Sequence, residues 1–137
     1  MEIISKKTTS LLFLMCTIIL MTTPYGVPMV FAPGPTVRVT KYFSYFSFVP
    51  IGYANWFPFI IGLLSIATFL LILINKKRHI KMLLTICICF SLLSWVIFNS
   101  ISIISVTITC LHIMVLLLQK WLLMNSKMEG LVLYEQG

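Results

Sequence analysis

Apolar residues fill most of this chain, and its interruptions divide it into spans. Residues 11–21 are almost wholly apolar, and residues 56–74 and 82–118 carry no formal charge. A helix crosses a hydrocarbon core of about 30 Å with about 20 residues. The pattern predicts helical spans over about 8–24, 56–74, 82–98 and 101–119. The last two are separated at Asn99-Ser100, because one unbroken helix over 82–118 would run about 55 Å at 1.5 Å per residue. The expected fold is an all-α integral membrane protein: a single domain over 1–137, built as an up-down-up-down four-helix transmembrane bundle.

Residues 25–55 cannot continue a helix. Pro24, Pro28, Pro33, Pro35 and Pro50, with Gly26, Gly34 and Gly52, break the pattern. Residues 27–32 and 36–42 flank Pro33-Gly34-Pro35, and the second arm alternates, with Val37 and Val39 against Arg38 and Thr40. That period predicts a small β-hairpin with its tip at Gly34 and Pro28 at an edge. An aromatic run follows: Tyr42, Phe43, Tyr45, Phe46 and Phe48, then Tyr53, Trp56 and Phe57. Rings at this position either form an interfacial belt or present a docking surface. Arg38, Lys41, Tyr42, Tyr45, Phe46, Tyr53 and Trp56 are the docking candidates. The prolines predict an ordered loop, since they lower the entropy of the free chain. Asn55 is placed to cap the following helix, with Pro58 in its first turn.

Charge orients the spans. Asn75-Lys76-Lys77-Arg78-His79-Ile80-Lys81 is a basic knot between two apolar runs, and clustered Lys and Arg prefer the cytoplasmic face. A cytoplasmic loop over 75–81 leaves residues 25–55 outside and both termini inside, with 120–137 a cytoplasmic tail in which Gly130 ends the helix. Lys120-Trp121 reads as an interfacial pair. Eight of the ten Lys and Arg residues then lie inside, and only Arg38 and Lys41 outside. Lys6 and Lys7 before the first apolar run also fit a signal peptide, but the small-residue site at Val30-Phe31-Ala32 runs into Pro33, so a retained first span is expected.

Composition agrees: 60% of residues are hydrophobic and 9% charged, against about 25% charged in soluble domains. The net charge of +7 comes from cations bracketing the spans, not from a surface patch with interleaved aromatics, so nucleic acid is not an expected partner. The expected partners are the bilayer and another membrane protein or a second copy. Scarce Ala and abundant Ile suggest an AT-rich genome and a bacterial inner membrane.

Little reactive chemistry is visible. Cys16, Cys87, Cys89 and Cys110 lie in apolar runs without a C-x-x-C, which argues against a disulfide framework or a thiol redox pair. Glu2, Glu129 and Glu135 are the only acids, so no predicted span holds the carboxylate that a proton-coupled cation exporter uses. His79 and His112 are too far apart to begin a metal cluster. No cofactor, metal or catalytic residue is expected, and the chain is read as a non-enzyme. What remains are polar stripes at helical spacing. Ser102, Ser105, Thr109, His112 and Gln119 fall within an arc of roughly 100°. Ser91 and Ser94 join Cys87 on the third span, Gly62 and Ser65 mark the second, and Thr9, Cys16 and Thr23 recur every seven residues on the first. These stripes should meet inside a bundle, with His112 a neutral imidazole bonded to a neighbouring Ser or Thr, or else part of a solute path. The expected function is a non-enzymatic accessory protein that binds another membrane component through its outer loop and helix faces. The alternative is an oligomeric small transporter or channel lined by the stripe around His112.

Overall fold

The computed structural model describes residues 2–74 and 76–135, with side chains described over 7–74, at 76, over 79–121 and at 124. The chain is mostly helical. In order it forms α1 (Glu2–Thr22), β1 (Val27–Phe31), β2 (Val39–Phe43), a short α2 (Val49–Gly52), α3 (Phe57–Leu73), α4 (Lys77–Phe98) and α5 (Ile103–Glu135). The four long helices pack in a ring, α1 on α3 and α5, α4 on α3 and α5. Segments His79–Phe98 and Ile103–Trp121 are long and apolar enough to cross a membrane. Lys7–Thr22 and Phe57–Leu73 are apolar but shorter.

Several boundaries depart from the sequence expectation. α4 begins at Lys77, so most of the basic stretch expected as a loop over 75–81 is its first turn. Ile80, Met82, Leu83 and Leu84 follow closely, and Lys and Arg are themselves good helix formers. Asn75 and the side chains of Lys77 and Arg78 lie outside the described residues. α5 continues through Gly130 to Glu135: one glycine in a helix costs only about 1 kcal/mol, too little to stop it among Leu, Met, Lys and Glu. Side chains in 125–137 lie outside the described residues, as do those of Glu2 and Lys6.

The segment between α1 and α3 is folded. β1 and β2 pair antiparallel, with Val27 opposite Phe43, Met29 opposite Lys41 and Phe31 opposite Val39. The hairpin expected around Pro33-Gly34-Pro35 is therefore present, with its second strand shifted toward the aromatic run. The shift lets Phe43 lie across from buried Val27 and bring its ring to the core. Phe31 stacks edge-on with Phe43 and with Tyr53. α2 was not expected; Pro50 starts it well because a proline lacks the N–H that a first turn leaves unbonded. Ala54 then takes a left-handed conformation, φ 65°, and turns the chain into α3.

Asn55 does not cap α3. Trp56 holds that position without a side-chain bond, and Asn55 is buried with its Oδ1 unpartnered among the described residues. Pro58 does lie in the first turn, buried.

Two apolar clusters fill the ring. One joins Met21, Val27, Tyr45, Ile61, Cys87 and Ile108 beneath the hairpin. The other joins Leu14, Ile72, Ile80, Leu84 and Val115 at the opposite end. The buried face of α1 is Ser10, Leu14, Thr17 and Met21, not the expected Thr9-Cys16-Thr23; Cys16 is exposed. Both sets keep helical spacing, but Thr9 and Cys16 each stand one residue, about 100°, from buried Ser10 and Thr17, so the recurrence marked a neighbouring stripe.

Candidate functional site

Polar side chains run through the interior beside the two apolar clusters. Ser65 and Thr68 on α3, Ser91 and Ser94 on α4, and Ser105, Thr109, His112 and Gln119 on α5 are all buried. His112 is 1% exposed, and its side chain spans the middle of the ring. Nδ1 lies 2.9 Å from the carbonyl of Ile108 one turn earlier, and Nε2 lies 2.9 Å from Ser65 Oγ on α3. A carbonyl only accepts, so Nδ1 carries the proton and donates it to Ile108. In the neutral ring Nε2 is then an acceptor, and the Ser65 hydroxyl donates to it or to the Ile61 carbonyl 2.7 Å away. α3 and α5 are not ring neighbours, so this bond ties them across the diagonal.

Nearer the hairpin the seam continues. Thr109 Oγ1 donates to the Ser105 carbonyl at 2.8 Å, which leaves it to accept from Ser91 Oγ on α4 at 2.5 Å. Ser100 Oγ donates to the Ser94 carbonyl at 2.9 Å and meets Ser94 Oγ at 2.7 Å. Ser102 and Ser105 do something the stripe did not reveal. Ser105 N–H donates to Ser102 Oγ at 3.0 Å, and Ser102 N–H donates to Ser105 Oγ at 2.9 Å. This reciprocal box satisfies two amide groups that the start of α5 would otherwise leave open. Ser102 Oγ spends its own proton on the Gly26 carbonyl at the root of the hairpin, 2.7 Å away. The S-x-x-S spacing ahead of an apolar run was the signal for this cap.

The docking candidates separate into two groups. Tyr45 is 3% exposed. Its ring lies where a side chain on Gly26 would stand, 2.8 Å from the place of a Cβ there, and its N–H donates to the Met21 carbonyl. Burial pushes its phenol pKa up. Phe46 packs on Gly62 of α3, 2.7 Å from the place of a Cβ there. Tyr45 is therefore packed inside the fold and Phe46 is partly buried against α3; an aromatic just before an apolar helix has the same composition in either role. Arg38, Lys41, Tyr42, Tyr53 and Trp56 are exposed. Lys41 Nζ lies over the Phe31 ring at 6.0 Å, a cation held against an aromatic ring of the neighbouring strand. Beside the sheet, Val30, Phe31, Val39, Lys41 and Tyr53 line a cavity of about 570 Å³.

Among the described residues no group of three or more His, Cys, Asp or Glu side chains is arranged to hold a metal ion. Comparison with protein-family models, with curated proteins and with solved structures finds no match.

Proposed function

We propose that the chain is a multi-pass membrane protein that performs no catalysis and serves as a docking partner, presenting its outer hairpin to another membrane component. In this reading α1, α3, α4 and α5 all span, with both termini inside, in a bacterial cytoplasmic membrane. The observation that carries the membrane part is an inverted distribution of polarity. Leu12 and Ile19 on α1, Leu63 and Leu70 on α3, Val96 on α4 and Leu117 on α5 are each about half exposed or more, while Thr17, Ser65, Thr68, Ser91 and Thr109 are buried. Water would favour the reverse, whereas lipid forces polar groups to find partners inside. The shorter α1 and α3 segments are near the lower limit of about 17 residues for a span.

The docking part rests on how the hairpin is held. Its root is fixed by the Ser102–Gly26 bond, the Tyr45–Met21 bond and the burial of Val27. Yet Val30, Val37, Val39, Tyr42 and Tyr53 remain exposed. A rigid mount that displays apolar and cationic groups favours recognition, since little further order is needed on binding. The seam, by contrast, has its hydroxyls bonded to one another and to helix carbonyls, which supports a packed interior over a solute path.

Purification from the native membrane in mild detergent tests this. A specific second chain should co-purify with the protein and be lost when residues 27–43 are replaced by a Gly/Ser linker. Solute flux through liposomes by the pure protein alone would replace this reading with that of a transporter. Reporter fusions at Gly34, His79 and Gly137 test the topology; a periplasmic reporter active at His79 would invert it.

A further inference from the structure

The sheet has only two strands, and its strands are not equivalent. β1 runs beside the bundle, with Val27 buried and Pro28, Met29 and Phe31 partly so, whereas Val39, Thr40, Lys41 and Tyr42 of β2 are all exposed. One edge of β2 is paired to β1 without a break in register. The other edge has no partner strand among the described residues.

Pro28 indicates which groups that edge offers. A proline has no N–H to give a ladder, so it belongs where its nitrogen points away from the paired strand. In an antiparallel pair, two residues opposite each other either exchange both bonds or turn both sets of groups away. Pro28 is opposite Tyr42. Tyr42, and Thr40 two residues before it, therefore turn their N–H and C=O groups to the open edge, while Val39, Lys41 and Phe43 bond to β1.

We propose that the open edge of β2 captures an extended acidic segment of a partner protein by strand addition. This rests on the docking role of the hairpin and names its mode. An exposed edge is a template for a further strand, which gains affinity from main-chain bonds and specificity from alternate side chains. The charges choose the occupant. Arg38, just before β2, and Lys41 within it are both exposed, and the only acids of the chain, Glu2, Glu129 and Glu135, lie near its ends. A second copy would bring the same cations to the shared edge, where like charges oppose pairing. A bare headgroup layer would satisfy the cations and leave the Thr40 and Tyr42 amide groups unpaired. A strand with acidic residues three apart satisfies both.

The test uses the full chain in zwitterionic nanodiscs and a short Thr/Val peptide with two Glu residues three apart. The peptide should bind and slow hydrogen exchange at the Thr40 and Tyr42 amides, leaving Val39 and Lys41, already bonded to β1, unchanged. Changing its Glu residues to Lys should weaken binding about tenfold or more. The R38E/K41E protein should reverse that preference, which also shows that the variant is folded. Methylating the peptide amides should abolish binding. Equal binding of the methylated peptide would reduce the effect to charge and overturn strand addition, as would absence of binding. Equal protection of Thr40 and Tyr42 by anionic vesicles would assign the edge to lipid. Concentration-dependent protection without peptide would assign it to a second copy. If the peptide fails while the native partner is still lost on replacing residues 27–43, the docking role stands and only the strand-addition mode falls.

Discussion

Gly62→Ala is a small change with two opposed effects that the structure weighs. In an open helix the substitution is favourable by about 0.8–1 kcal/mol, because alanine loses less backbone entropy. Here the new Cβ would stand 2.7, 3.1 and 3.3 Å from three atoms of the Phe46 ring. Ordinary contact begins at 3.4 Å, so the nearest ring atom must retreat about 0.7 Å. The ring cannot simply swing into solvent without loss, since it packs on the cluster of Met21, Val27, Tyr45 and Ile61. Overpacking of this kind costs about 1–3 kcal/mol. The net expectation is a destabilisation of about 1 kcal/mol. In a Phe46→Leu background the clash is relieved, and Gly62→Ala should become neutral or stabilising. The coupling read from the four proteins should then be about 1–2 kcal/mol, within the range for contacting residues. Reversible unfolding in mixed micelles measures all four. If Gly62→Ala stabilises equally with Phe46 and with Leu at that position, the ring does not sit on the glycine, and the docking of the segment between α1 and α3 onto α3 is wrong.

Other substitutions probe the seam and the hairpin root. His112→Leu removes the α3–α5 bond and should destabilise by about 0.6–2 kcal/mol; His112→Asn, which still offers a partner to Ser65, should lose less, and equal losses in partner binding with intact stability would mark a functional histidine instead. Ser102→Ala removes the cap of α5 and the tie to Gly26 and should lose about 1 kcal/mol, with faster amide exchange at Val27 and Val106, whereas Ser102→Thr should retain both. Gly26→Ala would set a Cβ 2.8 Å from the Tyr45 ring and should loosen β1, seen as exchange at Met29; unchanged exchange would mean that Tyr45 lies elsewhere.

The polar arc of α5 was legible because its signal is rare. Serine, threonine, histidine and glutamine stood out among Ile, Leu, Val and Met, and a 100° step placed them together. On α1 the same reasoning chose the wrong face, since Leu14 and Met21 on the buried side look like every other apolar residue there. Burial inside a bundle and contact with lipid ask for the same hydrophobic side chains, so composition cannot separate them; only small and polar residues can. The hairpin was legible from Pro33-Gly34-Pro35, but its register depended on a contact distant in sequence, Phe43 lying across from Val27 and reaching the core. Tyr45 and Phe46 were read as surface because rings next to a span suit an interface, and the two glycines that receive them gave no sign of it alone. Each pair is a ring and a missing Cβ, brought together by a turn between elements.

Ser102 shows why the hairpin and the seam should be regarded as one body. Its hydroxyl accepts the Ser105 amide and donates to the Gly26 carbonyl. The first function holds the start of α5, the helix that carries Thr109 and His112; the second holds the start of β1. No flexible linker stands between them, because Gly26 directly precedes the buried Val27. The hairpin can therefore offer the edge of β2 at a fixed place above the bundle, and the bond between His112 and Ser65 fixes that bundle across its diagonal. The buried polar groups thus favour a rigid mount, and the exposed groups of β2 gain from it, since a preset strand loses little entropy when a second strand pairs with it.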